Sequence, residues 1–337
     1  MEPGHPSRPC NSPDELTLDR IEAAARRIAG HVRRTPMLTS ADLDERAKAE
    51  VVLKPEMLQR TGSFKFRGAL NRLACTTPAE RSAGVVTYSS GNHGAAVALA
   101  GRIVGTHVTV VAPVDAPRIK LEAIRSFGAQ LRLYEPGSQR REDVAAAIAR
   151  DQGALVVPPF DDVEVMAGQG TVALELVDDH PDLGAVVVPV GGGGLLAGIA
   201  TAVRALVGPG CRIVGVEPTG ADDTRRSLAA GRRVELGEVS TSADGLRAPT
   251  PGVLTFEVNR RLVDRVVVVS EPQIADAMRY CFEELKLVVE PSGAVGLAAV
   301  LAGAAGDLGP RVGVVLSGGN VDARRFAELY ETVRPAI

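Results

Sequence analysis

From Gly84 onward the chain alternates short β-branched runs with stretches of helical length, and this alternation limits its fold more than any other feature. The runs are Val85–Tyr88, His107–Val111, Gln130–Tyr134, Ala154–Val157, Ala185–Val190, Arg212–Glu217, Arg265–Val269 and Val312–Leu316. Between most of them lie patterns long enough for a helix, such as Arg118–Phe127 and Glu142–Asp151. Strands separated in this way pair in parallel, because a parallel neighbour can be reached only by a crossover. Runs such as Val186–Val188 are apolar without alternation, so both faces of the sheet are expected to be covered by helices. An amphipathic helix is expected over Thr17–Ala29, closed by Gly30. Another follows Ser270, where Ser270 and Gln273 have the spacing of a capping box. No internal repeat or low-complexity linker marks a domain boundary.

Composition removes several function classes. With 337 residues and 45% hydrophobic content the chain can build a substantial core. Lys and Arg number 38 against 41 acidic residues, without a basic block, so no electrostatic footprint for nucleic acid exists. No apolar run reaches the roughly 18 residues of a membrane span. Met1–Pro13 is polar and Pro-rich, unlike a secretory signal, and residues 1–14 are expected to form a flexible tail. Cys10, Cys75, Cys211 and Cys281 are widely spaced, which fits a reducing cytoplasm and offers no zinc site. Aromatics make up 3% and Trp is absent, which disfavours a sugar cleft or a base-stacking surface. There are five lysines against 33 arginines, a bias that a GC-rich genome accounts for. A lysine in apolar surroundings therefore stands out.

Lys65 is such a lysine, lying between Phe64 and Phe66 in Thr61-Gly-Ser-Phe-Lys-Phe-Arg-Gly68. Desolvation lowers an amine's pKa, and a neutral amine can attack a carbonyl to form a Schiff base. Ser89-Ser-Gly-Asn-His93 follows the run Val85–Tyr88 and opens a helical pattern. Its backbone N–H groups suit a carboxylate, Asn92 can hold a phenolic oxygen, and the hydroxyls of Ser89 and Ser90 can relay protons. Gly191, Gly192, Gly193 and Gly194 follow a Val-rich run and precede another helical stretch. Four glycines are costly in backbone entropy and make sense where N–H groups crowd around a phosphate. The spacing is neither that of a P-loop nor that of a dinucleotide site, which excludes a nicotinamide oxidoreductase on motif grounds. Ser317, after Val312–Leu316, places a neutral hydroxyl at a strand end, where ligands of α/β proteins collect. Aldehyde, carboxylate, phosphate and ring nitrogen are thus each provided for, and the ligand with all these features is pyridoxal 5'-phosphate (PLP).

With these motifs in this order, the chain resembles the PLP-dependent serine/threonine dehydratase and serine racemase family, of the tryptophan-synthase-β-like fold, PLP fold type II. The resemblance spans roughly residues 17–329. It implies two open parallel twisted sheets with helices on both faces. Residues 80–159 would form a small domain, and 15–79 with 160–337 a large PLP-binding domain. It further implies Lys65 as the lysine joined to the cofactor and Asn92 against the cofactor's 3-oxygen. Gly191, Gly192, Gly193 and Gly194 would surround the phosphate, with Ser317 at the pyridine nitrogen. Substrate would meet Ser89, Ser90, Gly91, His93 and Arg141, and Ser90 would be an acid/base opposite Lys65. Glu217, the Ala221 carbonyl and Asp223 resemble the Mg²⁺ or Ca²⁺ site of the racemase branch.

Three departures bear on the reaction. Plain threonine dehydratases usually carry alanine at the position of Ser90, so racemisation stays open. Phe160, in Pro159-Phe-Asp-Asp162, replaces an asparagine of the racemase branch, and Ala248 replaces a substrate-contacting serine. The expected activity is that of an ammonia-lyase converting a β-hydroxy L-amino acid, such as L-threonine or L-serine, into a 2-oxo acid and ammonia. Serine racemase, 3-hydroxyaspartate dehydratase and a specialised catabolic lyase are the alternatives. A small-molecule substrate, no nucleic acid or membrane partner, a cytoplasmic location and a homodimer are expected. No regulatory segment follows Ile337, so feedback control of the biosynthetic type is not expected.

Overall fold

The computed structural model describes residues 12–89, 91–116 and 118–332. Among these residues nine strands form, β1 (Glu50–Pro55), β2 (Val85–Tyr88), β3 (Val108–Pro113), β4 (Gln130–Tyr134), β5 (Leu155–Val156), β6 (Ala185–Pro189), β7 (Arg212–Pro218), β8 (Arg265–Val269) and β9 (Arg311–Leu316). The first half of the chain contributes helices α1 (Leu18–Ile28), α2 (Ala41–Ala47), α3 (Lys65–Ala74), α4 (Pro78–Ala83), α5 (Asn92–Val104), α6 (Arg118–Ser126) and α7 (Arg141–Gln152). Its second half contributes α8 (Val163–Asp179), α9 (Gly194–Leu206), α10 (Asp223–Ala230), α11 (Val253–Leu262), α12 (Glu271–Glu283), α13 (Pro291–Leu301) and α14 (Ala323–Glu331).

The strands assemble into two sheets, one in the order β1-β9-β6-β7-β8 and the other β4-β3-β2-β5, and all ladders are parallel. This is the expected α/β architecture. β6 is buried along its whole length and packs between α9 on one face and α13 on the other, as its unbroken Val run requires. The capping box at Ser270 forms, with both reciprocal bonds present, and Thr17 caps α1. β1 departs from the sequence reading, which places no strand there. Its run is short and ends in Lys54 and Pro55, and the buried lysine donates to Glu175 of α8 at 2.6 Å and to the Thr35 carbonyl at 2.8 Å. Of the expected tail, residues 1–11 lie outside the described residues. Pro13–Glu15 form a single 3-10 turn, in which Asp14 pairs with Arg261.

Topology brings the motifs together. In the four-stranded sheet β3 lies on one side of β2 and β5 on the other, so the chain changes direction at the carboxyl end of β2. In the five-stranded sheet the same reversal occurs between β6 and β9. Crevices at such points are where open α/β sheets bind ligands. The segments that leave them are Ser89–His93, Gly191–Gly194 and Ser317–Asn320.

Candidate active site

Lys65 begins α3 at the end of a tight passage from β1. Thr61 and Gly62 both have left-handed backbone, and a Cβ on Gly62 would meet Asn320 Oδ1 at 2.3 Å. Glycine there lets the loop after β9 close onto the lysine loop. Phe64 N–H donates to the Ser317 carbonyl at 3.1 Å, and Ser63 bridges to Gly318. The Lys65 amine donates to the Pro159 carbonyl at 2.8 Å, with the Phe64 ring centroid 5.0 Å away. Among the described residues it has no carboxylate partner, and burial lowers its pKa to about 8.

Asn92 opens α5. Its Nδ2 donates to Glu290 Oε1 at 2.6 Å and its Oδ1 accepts from Asn320 Nδ2 at 2.8 Å. The two bonds fix which way the amide faces. His93 is buried, with Nε2 3.3 Å from the Val157 carbonyl and Nδ1 without a partner among the described residues. Burial, with the nearby Lys65 charge, lowers its pKa to about 3, so the imidazole is neutral. Ser89 Oγ accepts from Gly91 N–H at 3.3 Å. Ser90 lies outside the described residues. Arg141, at the start of α7, donates to Glu142 at 2.9 Å and lies over the Tyr88 ring.

The glycine segment turns from β6 into α9. Gly193 has φ of 92°, a conformation that favours glycine, and a Cβ on Gly192 would fall 2.2 Å from the Phe160 ring. Among the described residues no protein acceptor receives an N–H from Gly191 to Leu195. These free donors point to an anion at the start of α9. Ser317 is buried and, among the described residues, its hydroxyl makes only a long bond, 3.4 Å, to the Ser292 carbonyl. Lys65, Asn92, Gly191–Gly194, Ser317 and Arg141 all line one cleft of about 580 Å³.

Glu217, Ala221 and Asp223 are buried between the end of β7 and the start of α10 and do not line that cleft. Glu217 accepts from the N–H groups of Thr224 and Arg225, each at 2.9 Å. Both carboxylate oxygens of Asp223 lack a partner among the described residues. Burial raises Glu217 to about 7; burial and the Glu217 charge raise Asp223 to about 8. No cluster of three or more His, Cys, Asp or Glu side chains suited to a metal occurs among the described residues, so the donor set is two carboxylates and a carbonyl.

The family model described as pyridoxal-phosphate dependent enzyme matches residues 28–318. The chain belongs to this family. It is 41% identical over 313 residues to an L-threo-3-hydroxyaspartate ammonia-lyase of Saccharomyces cerevisiae, covering 93% of this chain and 96% of the relative. It is 43% identical over 310 residues to a serine racemase of Oryza sativa subsp. indica, covering 90% and 91%. The solved structure of a threonine deaminase from T.th. superposes with a TM-score of 0.85 at 44% identity, covering 91% of this chain and 99% of that one. The protein is thus a PLP-dependent enzyme of the ammonia-lyase and racemase group.

The cleft fits the cofactor on its own chemistry. It holds a weakly basic amine, free N–H donors on a glycine cradle that side chains would obstruct, and a buried hydroxyl short of partners. Sequence reasoning misses Glu290 and Asn320, which orient Asn92. Glu290 is enclosed, and burial together with the Asp244 charge raises it to about 8. Its signal is faint. A lone acid between Val289 and Pro291 reads as a helix start, which it also is.

Proposed function

We propose that this enzyme is an ammonia-lyase acting on a β-hydroxy L-amino acid such as L-threonine or L-serine, giving a 2-oxo acid and ammonia. The Lys65 amine carries the reading, since it faces the cleft, is weakly basic and has no carboxylate among the described residues to hold it protonated. PLP supplies an aldehyde that takes up the substrate amine and a ring that withdraws electrons from the α-carbon. Lys65 would hold the cofactor at rest and, once displaced, take the α-proton on Nζ. Gly191–Gly194 would hold the phosphate by their N–H groups, and Asn92 would donate to the 3-oxygen through the amide face that Glu290 and Asn320 fix. Ser317 would meet the ring nitrogen with a neutral hydroxyl, which leaves that nitrogen without a formal charge. Ser89, Ser90 and Gly91 would bind the substrate carboxylate, while the neutral His93, whose Nε2–H donates to the Val157 carbonyl, would present Nδ1 as an acceptor. Phe160 and Ala248 present no polar group to the cleft, which favours loss of the hydroxyl over return of a proton.

A second reading has its own support. Arg141 and Arg247 line the cleft beside Lys120, which Asp244 already partners, and the two arginines suit a substrate with a second carboxylate, such as 3-hydroxyaspartate. L- and D-serine, threonine and 3-hydroxyaspartate, assayed for 2-oxo acid and for enantiomer with and without Mg²⁺, separate lyase from racemase. Absence of ammonia from every substrate would refute the lyase.

We also propose that residues 80–159 form a small domain and 15–79 with 160–337 a large one, because β2–β5 make a sheet of their own. Glu217, Asp223 and the Ala221 carbonyl would hold Mg²⁺ or Ca²⁺. Asp223, buried with both carboxylate oxygens lacking a partner among the described residues, and the buried Glu217 whose charge it meets support this. Either ion should raise the Tm of the wild type and leave that of Asp223→Asn unchanged; equal shifts would dismiss the site.

A further inference from the structure

Of the groups around the glycine segment, two on α11 have no place in the function described above. Thr255 and Asn259 are both fully buried and lie one turn apart on the face toward the loop. Thr255 Oγ1 donates to the Gly192 carbonyl at 2.7 Å, and Asn259 Nδ2 donates to the Gly193 carbonyl at 3.2 Å. Each carbonyl has a further donor, Gly252 N–H for Gly192 at 3.3 Å and Ala197 N–H for Gly193 at 2.9 Å. Both lone pairs of both oxygens are thereby engaged.

The peptide group is planar and trans, so a carbonyl turned toward α11 sends the next N–H the opposite way. Gly193 and Gly194 must therefore aim their N–H groups away from α11, toward the cleft that the glycines line and that Thr255 and Asn259 do not. A glycine peptide left to itself rotates freely, which is what this bonding suppresses. Donation to a carbonyl also polarises the peptide and strengthens its N–H as a donor. α11 is itself held in place. The Asp161 carboxylate accepts from the N–H groups of Val253, Leu254 and Thr255 at 2.9, 2.8 and 3.2 Å, next to Phe160, which packs on the loop from another side.

We propose that Thr255 and Asn259 are positioning residues for the anion site, orienting the Gly192–Gly193 and Gly193–Gly194 peptides so that their N–H groups converge on the cofactor phosphate. This rests on the reading of Gly191–Gly194 as the phosphate loop. The test compares dissociation constants of the apoprotein for PLP and for pyridoxal, which lacks the phosphate, alongside its affinity for inorganic phosphate. In the wild type PLP should bind much more tightly than pyridoxal. Thr255→Val keeps the shape and removes the hydroxyl. It should cut that preference about tenfold and weaken inorganic phosphate similarly, leaving pyridoxal affinity unchanged. Thr255→Ser should restore both, and Asn259→Leu should act in the same direction as Thr255→Val. Thermal unfolding of each apoprotein separates folding loss from this effect, because folding loss would weaken pyridoxal as well. If the wild type shows the preference and both Thr255→Val and Asn259→Leu retain it, this proposal falls alone. If the wild type shows no preference, the phosphate reading falls and takes the proposal with it.

Discussion

Lys54 and Lys65 are eleven positions apart, and both place an amine inside the protein with opposite results. Lys54 Nζ donates to Glu175 at 2.6 Å and to the Thr35 carbonyl at 2.8 Å. Around it Arg67 binds Glu56 at 2.8 Å and Glu175 at 2.6 Å, completing a buried set of two cations and two acids. Burial lowers the Lys54 pKa, but the Glu175 charge opposes it. Lys65 has a carbonyl and an aromatic ring nearby and, among the described residues, no acid, so burial acts unopposed. What separates a structural lysine from a reactive one here is the company of a carboxylate, not depth. Arg67 links the two, since it lies on α3 two residues beyond Lys65 and anchors that helix to α8.

Removing each amine tells the two lysines apart. Lys65→Ala should abolish the visible absorbance of a lysine-linked cofactor and lower kcat by at least about 10²–10⁴-fold, with the fold unchanged by circular dichroism. Persistent absorbance would move the attachment to another of the five lysines. Lys54→Met should instead leave the cofactor attached and lower unfolding free energy in urea by about 3–5 kcal/mol, because Glu175 loses a buried partner. A variant at position 54 that kept full stability but lost the cofactor would reverse the assignment.

Acidity sharpens the contrast next. Lys65 titrates near 8 in the folded chain before the cofactor attaches, against an ordinary 10.5. Between those values the unfolded chain binds more protons, so this residue's contribution makes stability rise with pH from about 8 upward and lie flat below it. The rate of PLP capture by the apoprotein should follow the same ionisation and rise through an inflection near pH 8. An inflection close to 10 would mean that the amine is solvated.

The comparison also shows what a sequence can disclose. Lys65 is legible because its apolar neighbours are adjacent in the chain, and the four glycines because their entropic cost is local. The interior strands β2, β3, β6, β7 and β9 are legible because burial on two faces leaves short unbroken runs such as the valines of β6. β1 is not, since the acid that balances the buried charge of Lys54, Glu175, lies 121 residues away. Glu290 escapes for the same reason, its partner Asn92 being 198 residues distant. β5 is expected over Ala154–Val157 and pairs only at Leu155–Val156, against β2 alone, where an edge position gives few bonds. Groups defined by a distant partner carry no local signature.

A third lysine gives the smallest and most specific expectation. Lys120 of α6, beside the four-stranded sheet, pairs with Asp244, which belongs to a 3-10 turn on the side of the five-stranded sheet, and both residues line the cleft. The pair is partly exposed, with 23% and 41% of the two side chains accessible, so its worth is at most about 1 kcal/mol and falls with salt. Lys120 thus combines the acid partner of Lys54 with the cleft setting of Lys65. Lys120→Met should change KM for the amino acid by no more than about fivefold, with kcat and Tm nearly constant. Salt should shift KM in the wild type and have little effect in the variant. Equal salt sensitivity in both would show that the bridge across the cleft does not govern substrate entry, and a large fall in kcat would move Lys120 among the reacting groups beside Lys65.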